Sequence, residues 1–312
     1  MGTLFWTQRH YTGPSPRRNP AMAFDPVQKR TVLLGGEGAQ GPNMIASAMA
    51  DTWERDGSYW TQTADIGPPS AGRYEMAWDP STERVLLFGG AAFQGGDGDL
   101  ARCDTWAWDG QAWTQLLDKG MRFRTGFAMA TDTLRGRVVL FGGATLDEAG
   151  QLLALADTWE WSGGEWTQQE DVGPSPRSGH AMSFDAVRNV CVLNGGVLIT
   201  GEPQPDTWEW DGARWTRRSE VGPAGRIGAS MVFTGQYTLL FGGQDRTSKP
   251  PVIRGETWSW DGRHWTQRQD IGPKRESHGM AFDATRERTI VFGGQSEAGV
   301  HGDTWELKDH AR

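Results

Sequence analysis

A glycine doublet ends a short apolar run six times along this chain, and this recurrence limits the fold more than any other feature of the sequence. The six copies are "TVLLGG" (31–36), "VLLFGG" (85–90), "VVLFGG" (138–143), "CVLNGG" (191–196), "TLLFGG" (238–243) and "TIVFGG" (289–294). They are spaced by 54, 53, 53, 47 and 51 residues. A period near 50 residues is typical of repeat architectures, in which each supersecondary unit packs against the next one. The 312 residues therefore predict one repeat domain.

Each repeat contains the signals of four strands. A segment such as "HAMSFD" alternates large and small residues with period two, and "VVLFGG" is a buried-strand run. An acidic-Thr-Trp triplet follows a variable loop, as in "DTWEW", and "WDGARWTRR" predicts a hairpin that turns at Asp-Gly. Four strands per period of about 50 residues predict the blade of a β-propeller.

The glycine doublet, the loop, the aromatic strand and the second Trp at fixed spacing resemble the Kelch-repeat family, in a bacterial-type "DTWEWDG" variant. The resemblance covers essentially the whole chain. It implies an all-β, six-bladed propeller with four-stranded blades. The family includes enzymes, with and without metals, and protein-binding modules, so the resemblance does not choose a function.

The chain ends suggest how a ring of blades closes. The first segment, "LFWTQRHYTGPSPR", matches the last strand of a repeat, and the chain finishes on a third strand, "GDTWEL". We therefore expect the N-terminal strand to complete the last blade and to close the ring. The predicted single domain 1–312 consists of 1–16 as the outer strand of blade 6 and of blades at 17–66, 67–119, 120–172, 173–221, 222–271 and 272–312.

Composition narrows the class of partner. The chain has 31 Lys and Arg against 39 Asp and Glu, a net charge of −8, which argues against nucleic-acid and anionic-membrane partners. Cys103 and Cys191 lie in different contexts and imply no disulfide framework. No signal pattern or membrane-length apolar run is present, so a cytoplasmic monomer is expected, although a removed signal peptide is left open.

Departures from the repeat are the candidates for function, because residues shared by all blades are most simply scaffold. The inner strand of each blade carries a Met, and these methionines are predicted to pack between blades. The residue before the Met is small in five repeats and is Glu75 in the second. An unpaired carboxylate is costly to bury, so Glu75 must reach water, pair with a cation or be protonated. Glu75 is the first candidate catalytic residue.

The position two before each Met is the most diverse in the repeat and is predicted to lie at the channel mouth. It is occupied by Pro20, Tyr74, Phe127, His180, Ala229 and His278. Tyr74, His180 and His278 are predicted to be catalytic and Phe127 to contact a ligand.

An Arg stands five residues before the Met in five blades, and blade 2 has Arg73 in a shifted position. A recurring arginine is first a scaffold residue that bonds loop carbonyls, but a ring of guanidinium groups also attracts carboxylate or phosphate. In Kelch modules that bind acidic peptides, arginines at similar places have this role, which the resemblance implies here. The candidate ligand-binding arginines are Arg17, Arg73, Arg124, Arg177, Arg226 and Arg275.

Asn194 replaces the apolar residue that precedes the glycine doublet elsewhere. It either bonds a nearby backbone group or contacts a ligand. His301 lies in the last variable loop and is a further ligand-binding candidate. No cofactor is predicted, and a metal ion is left open, with His180, His278 and His301 as its ligands.

Two functions follow from these candidates. The first is an enzyme that acts on a small organic molecule in a pocket at the channel mouth by proton transfer, as in isomerisation, cyclisation, elimination or hydrolysis. Glu75 is its general acid or base, His180 and His278 take the opposite proton step or polarise a carbonyl, and Tyr74 donates to a developing oxyanion. The alternative is an interaction module that binds an acidic peptide through the arginines and the loops.

Overall fold

The computed structural model describes residues 4–9, 12–40, 46–68, 74–89, 91–92, 100–101, 103–118, 120–169, 172–269 and 271–309. The chain divides into two compact units, Met1–Arg124 with Ser277–Arg312, and Thr125–Glu276. Every regular element in the described residues is a β-strand, and each unit holds three four-stranded antiparallel sheets, which we call blades and number as in the sequence.

The first unit contains blades 1, 2 and 6. Blade 1 consists of β2 (Ala21–Asp25), β3 (Arg30–Gln40), β4 (Ala46–Arg55) and β5 (Trp60–Ala64). Blade 2 consists of β6 (Tyr74–Asp79), β7 (Arg84–Gly89), β10 (Thr105–Trp108) and β11 (Trp113–Leu117), with a small ribbon of β8 (Ala91–Ala92) and β9 (Leu100–Ala101). Blade 6 consists of β25 (Gly279–Asp283), β26 (Arg288–Phe292), β29 (Thr304–Asp309) and β1 (Leu4–Arg9), with a ribbon of β27 (Gln295–Ser296) and β28 (Gly299–Val300).

The second unit contains blades 3, 4 and 5. Blade 3 consists of β12 (Ala128–Asp132), β13 (Arg137–Leu146), β14 (Leu152–Ser162) and β15 (Glu165–Gln169). Blade 4 consists of β16 (Ser178–Asp185), β17 (Val190–Val197), β18 (Thr207–Trp210) and β19 (Trp215–Ser219). Blade 5 consists of β20 (Arg226–Phe233), β21 (Thr238–Asp245), β23 (Thr257–Trp260) and β24 (Trp265–Gln269), and β22 (Val252–Ile253) pairs with β21.

The N-terminal strand completes the last blade, as the sequence predicts. β1 pairs with β29 over six residues, from Leu4 opposite Asp309 to Arg9 opposite Thr304. The first and last strands of the chain are thus hydrogen-bonded neighbours in one sheet, and β29 is not left as an edge.

The inner-strand methionines pack on small residues of the preceding blade. Met22 of blade 1 lies in one buried cluster with Ala281 of blade 6, and Met182 of blade 4 lies in another with Ala128 of blade 3. A Cβ atom added at Gly279 would lie 2.4 Å from Sδ of Met22. The small residue before each Met therefore makes room for the next blade's Met, which confirms the predicted packing between blades within each unit.

In both units, consecutive blades are connected by hydrogen bonds from Trp indole groups. The acceptors are the Thr of an acidic-Thr-Trp triplet and the acidic residue two positions after that Thr. In the first unit, Trp113 Nε1 of blade 2 donates to Thr52 Oγ1 of blade 1 at 2.8 Å, and Trp108 Nε1 donates to Glu54 Oε1 at 2.8 Å. In the second unit, Trp215 Nε1 of blade 4 donates to Thr158 Oγ1 of blade 3, and Trp210 Nε1 donates to Glu160 Oε1. The buried tryptophans are therefore core residues with satisfied indole donors, which is the scaffold interpretation of the Trp repeat.

Candidate functional site

Glu75 lies near the start of β6, where the strand register places it opposite Phe88 of β7. The residue is half-buried. Among the residues that the structure describes, its carboxyl group has no hydrogen bond and no ion pair. Burial raises the pKa of Glu75 from 4.5 to about 8, with no opposing contribution from a donor or a cation. Glu75 is therefore a protonated carboxylic acid at neutral pH that keeps some contact with solvent.

Tyr74 is directed to the opposite face of β6, because successive strand residues alternate. Its ring is buried, and its Cε2 atom is 3.2 Å from the position that a Cβ atom on Gly35 would take. The same cluster contains Leu34 of blade 1. The tyrosine ring thus fills the contact between blades 1 and 2, and its predicted role as an oxyanion donor stays a prediction. Arg73, the third member of this departure, lies outside the described residues.

His180 is buried against the ring of Phe141, with the two ring centroids 5.5 Å apart in an edge-to-face arrangement. Neither ring nitrogen has a hydrogen-bond partner among the described residues, although the backbone of Phe141 lies close to the ring. Burial and, to a smaller extent, the charge of Arg177 lower the pKa of His180 to about 3, against an opposite effect of the Phe141 backbone. His180 is consequently a neutral imidazole at physiological pH, and its catalytic role stays a prediction.

The other two histidines have different surroundings. His278 is also buried, at 5% exposure, just before β25. His301 is half-buried, with Nε2 2.7 Å from Ser296 Oγ. No group of three His, Cys, Asp or Glu side chains in the described part of the chain is arranged to hold a metal ion.

Three of the recurring arginines are buried ion-pair partners of the recurring acids. Arg17 donates to both carboxylate oxygens of Asp51, at 2.6 and 2.8 Å, and to the Gly35 carbonyl at 2.9 Å. Arg177 makes the same contacts with Asp206 and the carbonyl of Gly195. Arg226 bonds Glu256 at 3.0 Å and the carbonyl of Gly242 at 2.9 Å.

These contacts decide between the two interpretations of the recurring arginines. Their side chains are at most 1% exposed, and their guanidinium groups are occupied by protein oxygens. Arg124 and Arg275 are also buried, at 1% and 6% exposure. The described arginines of this set are therefore placed as scaffold, and their burial is the physical reason against the predicted ligand-binding role.

The acids at these sites accept hydrogen bonds from side-chain donors. Asp51 accepts from Arg17 and, at 2.7 Å, from the indole Nε1 of Trp53 in its own triplet. Burial acts to raise the pKa of Asp51, but the hydrogen bonds from Arg17 and Trp53 outweigh it and hold the pKa below its usual value. The signal for this pairing was present in the sequence, because the acid and the Arg recur together.

Asn194 and Phe127 are packing residues. The Nδ2 group of Asn194 donates to the carbonyls of Pro205 and Asp206 and to Oγ1 of Thr207, at 3.1–3.3 Å, and the residue is 1% exposed. Phe127 is 2% exposed and lies over Gly143. Asn194 thus holds the segment that carries the recurring acid Asp206, which agrees with the alternative that it bonds a nearby backbone group. Neither Asn194 nor Phe127 is open to a ligand in this conformation.

Comparison with known proteins supports the fold and no further property. No protein-family model and no curated protein matches the chain. A solved structure, "Structure of YjhT", is similar with a TM-score of 0.74 at 12% sequence identity, over 96% of this chain and 97% of that one. This likeness shows the fold alone: the chain is all-β, with the six four-stranded antiparallel blades of a β-propeller, as predicted. The Kelch resemblance itself continues to rest on the repeat residues.

Proposed function

We propose that the protein is an enzyme that transfers protons on a small organic molecule, with Glu75 as the general acid and base. The observation that carries this proposal is the state of one side chain. Glu75 is half-buried, has no hydrogen-bond or ion-pair partner in the described part of the chain, and has a pKa raised to about 8 by burial. Perturbed carboxylic acids of this kind are characteristic of sites of acid-base chemistry.

A carboxyl group with this pKa supports both directions of proton transfer near neutral pH. The acid form donates a proton to a leaving or carbonyl oxygen, and the carboxylate that results accepts a proton from carbon or water. Isomerisation, cyclisation, elimination and hydrolysis each need such transfers. The five equivalent positions hold small residues, so the repeat itself does not require a carboxyl group at this position.

The alternative function, recognition of an acidic peptide by the arginines, has less support. Arg17, Arg177 and Arg226 already bind carboxylates of their own blades and are inaccessible. An acidic peptide would have to displace a buried ion pair, which is costly.

Proton exchange tests the proposal without knowledge of the substrate. The purified protein is incubated in D₂O with a panel of small carbonyl compounds that carry acidic C–H groups, and with small esters, and NMR follows deuterium incorporation and turnover. We expect at least one compound to react, and Glu75→Gln to abolish the reaction while the circular dichroism spectrum stays unchanged. Asp65→Asn, which changes an exposed carboxylate in the same unit, is the matched control. Activity that survives in Glu75→Gln would refute the role of Glu75.

A further inference from the structure

The face of blade 6 that packs against blade 1 gathers cations around a single carboxylate. Arg9 from β1 and Arg288 from β26 approach Glu306 from its two neighbouring strands and bond its Oε2 atom, at 2.9 and 2.8 Å. Arg55 from blade 1 bonds the other oxygen, Oε1, at 2.5 Å. Glu306 therefore has three guanidinium partners, and these partners hold its pKa below the usual value although burial acts to raise it.

Two further cations belong to the same face. Lys308 follows Glu306 by two residues on β29, so its side chain leaves the strand on the same side, and it is exposed. Arg286 is held by Asp283 at 2.9 Å, and Asp56 of blade 1 lies close to Arg286. The five cations of this face thus outnumber the three carboxylates that adjoin them.

The corresponding faces of blades 3 and 4 show no such excess. In blade 3, Arg135 and Arg137 bind Glu160, and Arg135 also binds Asp132. In blade 4, two arginines likewise meet two carboxylates: Arg188 and Arg218 with Asp185 and Glu209. Each of these sets is neutral, so the positive excess is a property of blade 6 and not of the repeat.

Two departures from the repeat produce the excess. Arg55 stands where four other blades have a buried Trp, namely Trp108, Trp161, Trp210 and Trp260. A Trp satisfies the preceding blade's Glu with a neutral indole N–H, as Trp108 does for Glu54, whereas Arg55 adds a charge. Lys308 stands where the aligned positions of four blades have an Asp: Asp56, Asp109, Asp211 and Asp261. Both exchanges make the same face more positive.

We propose that this face of blade 6 binds a small oxyanion of the phosphate class. Arg9 and Arg288 bring two guanidinium groups beside the exposed Lys308, and Glu306, which accepts from Nε and Nη2 of Arg9, carries only one negative charge among these cations. Phe5, which pairs with Lys308 across the strands and is 51% exposed, offers an apolar surface beside the cations for an organic part of the ligand. The chain as a whole has a net charge of −8, so general attraction of anions does not explain the site. The proposal shares no residue with Glu75 and does not depend on the proposed enzymatic function.

Calorimetric titration with inorganic phosphate, at an ionic strength kept constant with NaCl, tests this proposal. We expect saturable binding to one site in the wild type. Lys308→Asp restores the common residue of the repeat at an exposed position, and the loss of one charge-assisted contact should weaken binding about tenfold. Arg288→Gln should weaken it further, and its thermal unfolding is measured to show that it folds.

Arg137→Gln is the matched control, since Arg137 is the counterpart of Arg288 on the neutral face of blade 3. Its affinity for phosphate should equal that of the wild type. The absence of saturable binding in the wild type would overturn the proposal. An equal loss of affinity in Arg137→Gln and Arg288→Gln, which change the net charge by the same amount, would overturn it as well, because net charge alone would then explain the binding.

Discussion

Asp51 of blade 1 and Glu75 of blade 2 carry carboxyl groups in the same structural unit, and their surroundings shift the pKa values of these groups in opposite directions. Both experience burial, which by itself raises a carboxyl pKa. Asp51 has a bidentate guanidinium and an indole N–H to offset it, so its pKa is lowered. Glu75 has no such partner in the described residues, and its pKa rises to about 8. The difference teaches that donors from neighbouring side chains, and not burial alone, decide the direction in which the pKa of a carboxyl group is shifted.

The largest expected effect comes from removing the donors of a partnered acid. Arg177→Leu leaves Asp206 buried with only Trp208 as a side-chain donor, and the loss of one partner from a buried ion pair costs about 3–5 kcal/mol. Urea denaturation at pH 7 measures the change in the free energy of unfolding. Arg137→Leu is the control, since Arg137 is 41% exposed and Glu160 keeps the partner Arg135. Equal losses in the two variants would contradict the scaffold role of the buried pair.

The next effect concerns Glu75 and depends on pH. Its pKa in the folded protein, about 8, lies above the ordinary value of 4.5. Between these values the native state keeps a proton that the unfolded state releases, so the stability of the wild type should fall as pH rises through this window. Glu75→Gln should remove this slope and be more stable than the wild type at pH 8 by more than about 1 kcal/mol. Denaturation at pH 5 and pH 8 measures both variants. A pH dependence unchanged by the substitution would show that Glu75 is partnered or solvated.

The smallest effect tests why the position of Glu75 is small in other blades. Gly279 is its counterpart in blade 6, and Sδ and Cγ of Met22 lie 2.4 and 2.7 Å from the site of an added Cβ atom. Gly279→Ala should therefore cost about 1 kcal/mol, since a flexible methionine relieves part of the overpacking. Thermal unfolding of Gly279→Ala in the wild-type and Met22→Ala backgrounds measures the coupling. If the cost is the same in both backgrounds, Met22 is not what keeps this position small.

The sequence predicts much of the fold because the same pattern of strand and turn residues recurs six times. The glycine doublets, the paired tryptophans and the inner-strand methionines identify four strands per blade, and the match of the first strand to the last one places β1 beside β29. The candidate site is predicted less completely. The sequence singles out Glu75 as a carboxyl group in a costly place, and its catalytic role stays a prediction. It does not show that Tyr74, His180 and Asn194 are buried, because burial depends on contacts with other strands.

The sequence by itself determined the number of blades, the strands within each blade and the one inner-strand position that holds a carboxyl group, because period and alternation are local properties of the chain. Only the tertiary structure decided which polar side chains find partners. Arg17 meets Asp51 across 34 residues of sequence, and Arg55 meets Glu306 across 251. Such contacts depend on how strands and blades pack. This packing lowers the pKa values of Asp51 and Glu306, whereas Glu75 has no donor among the described residues.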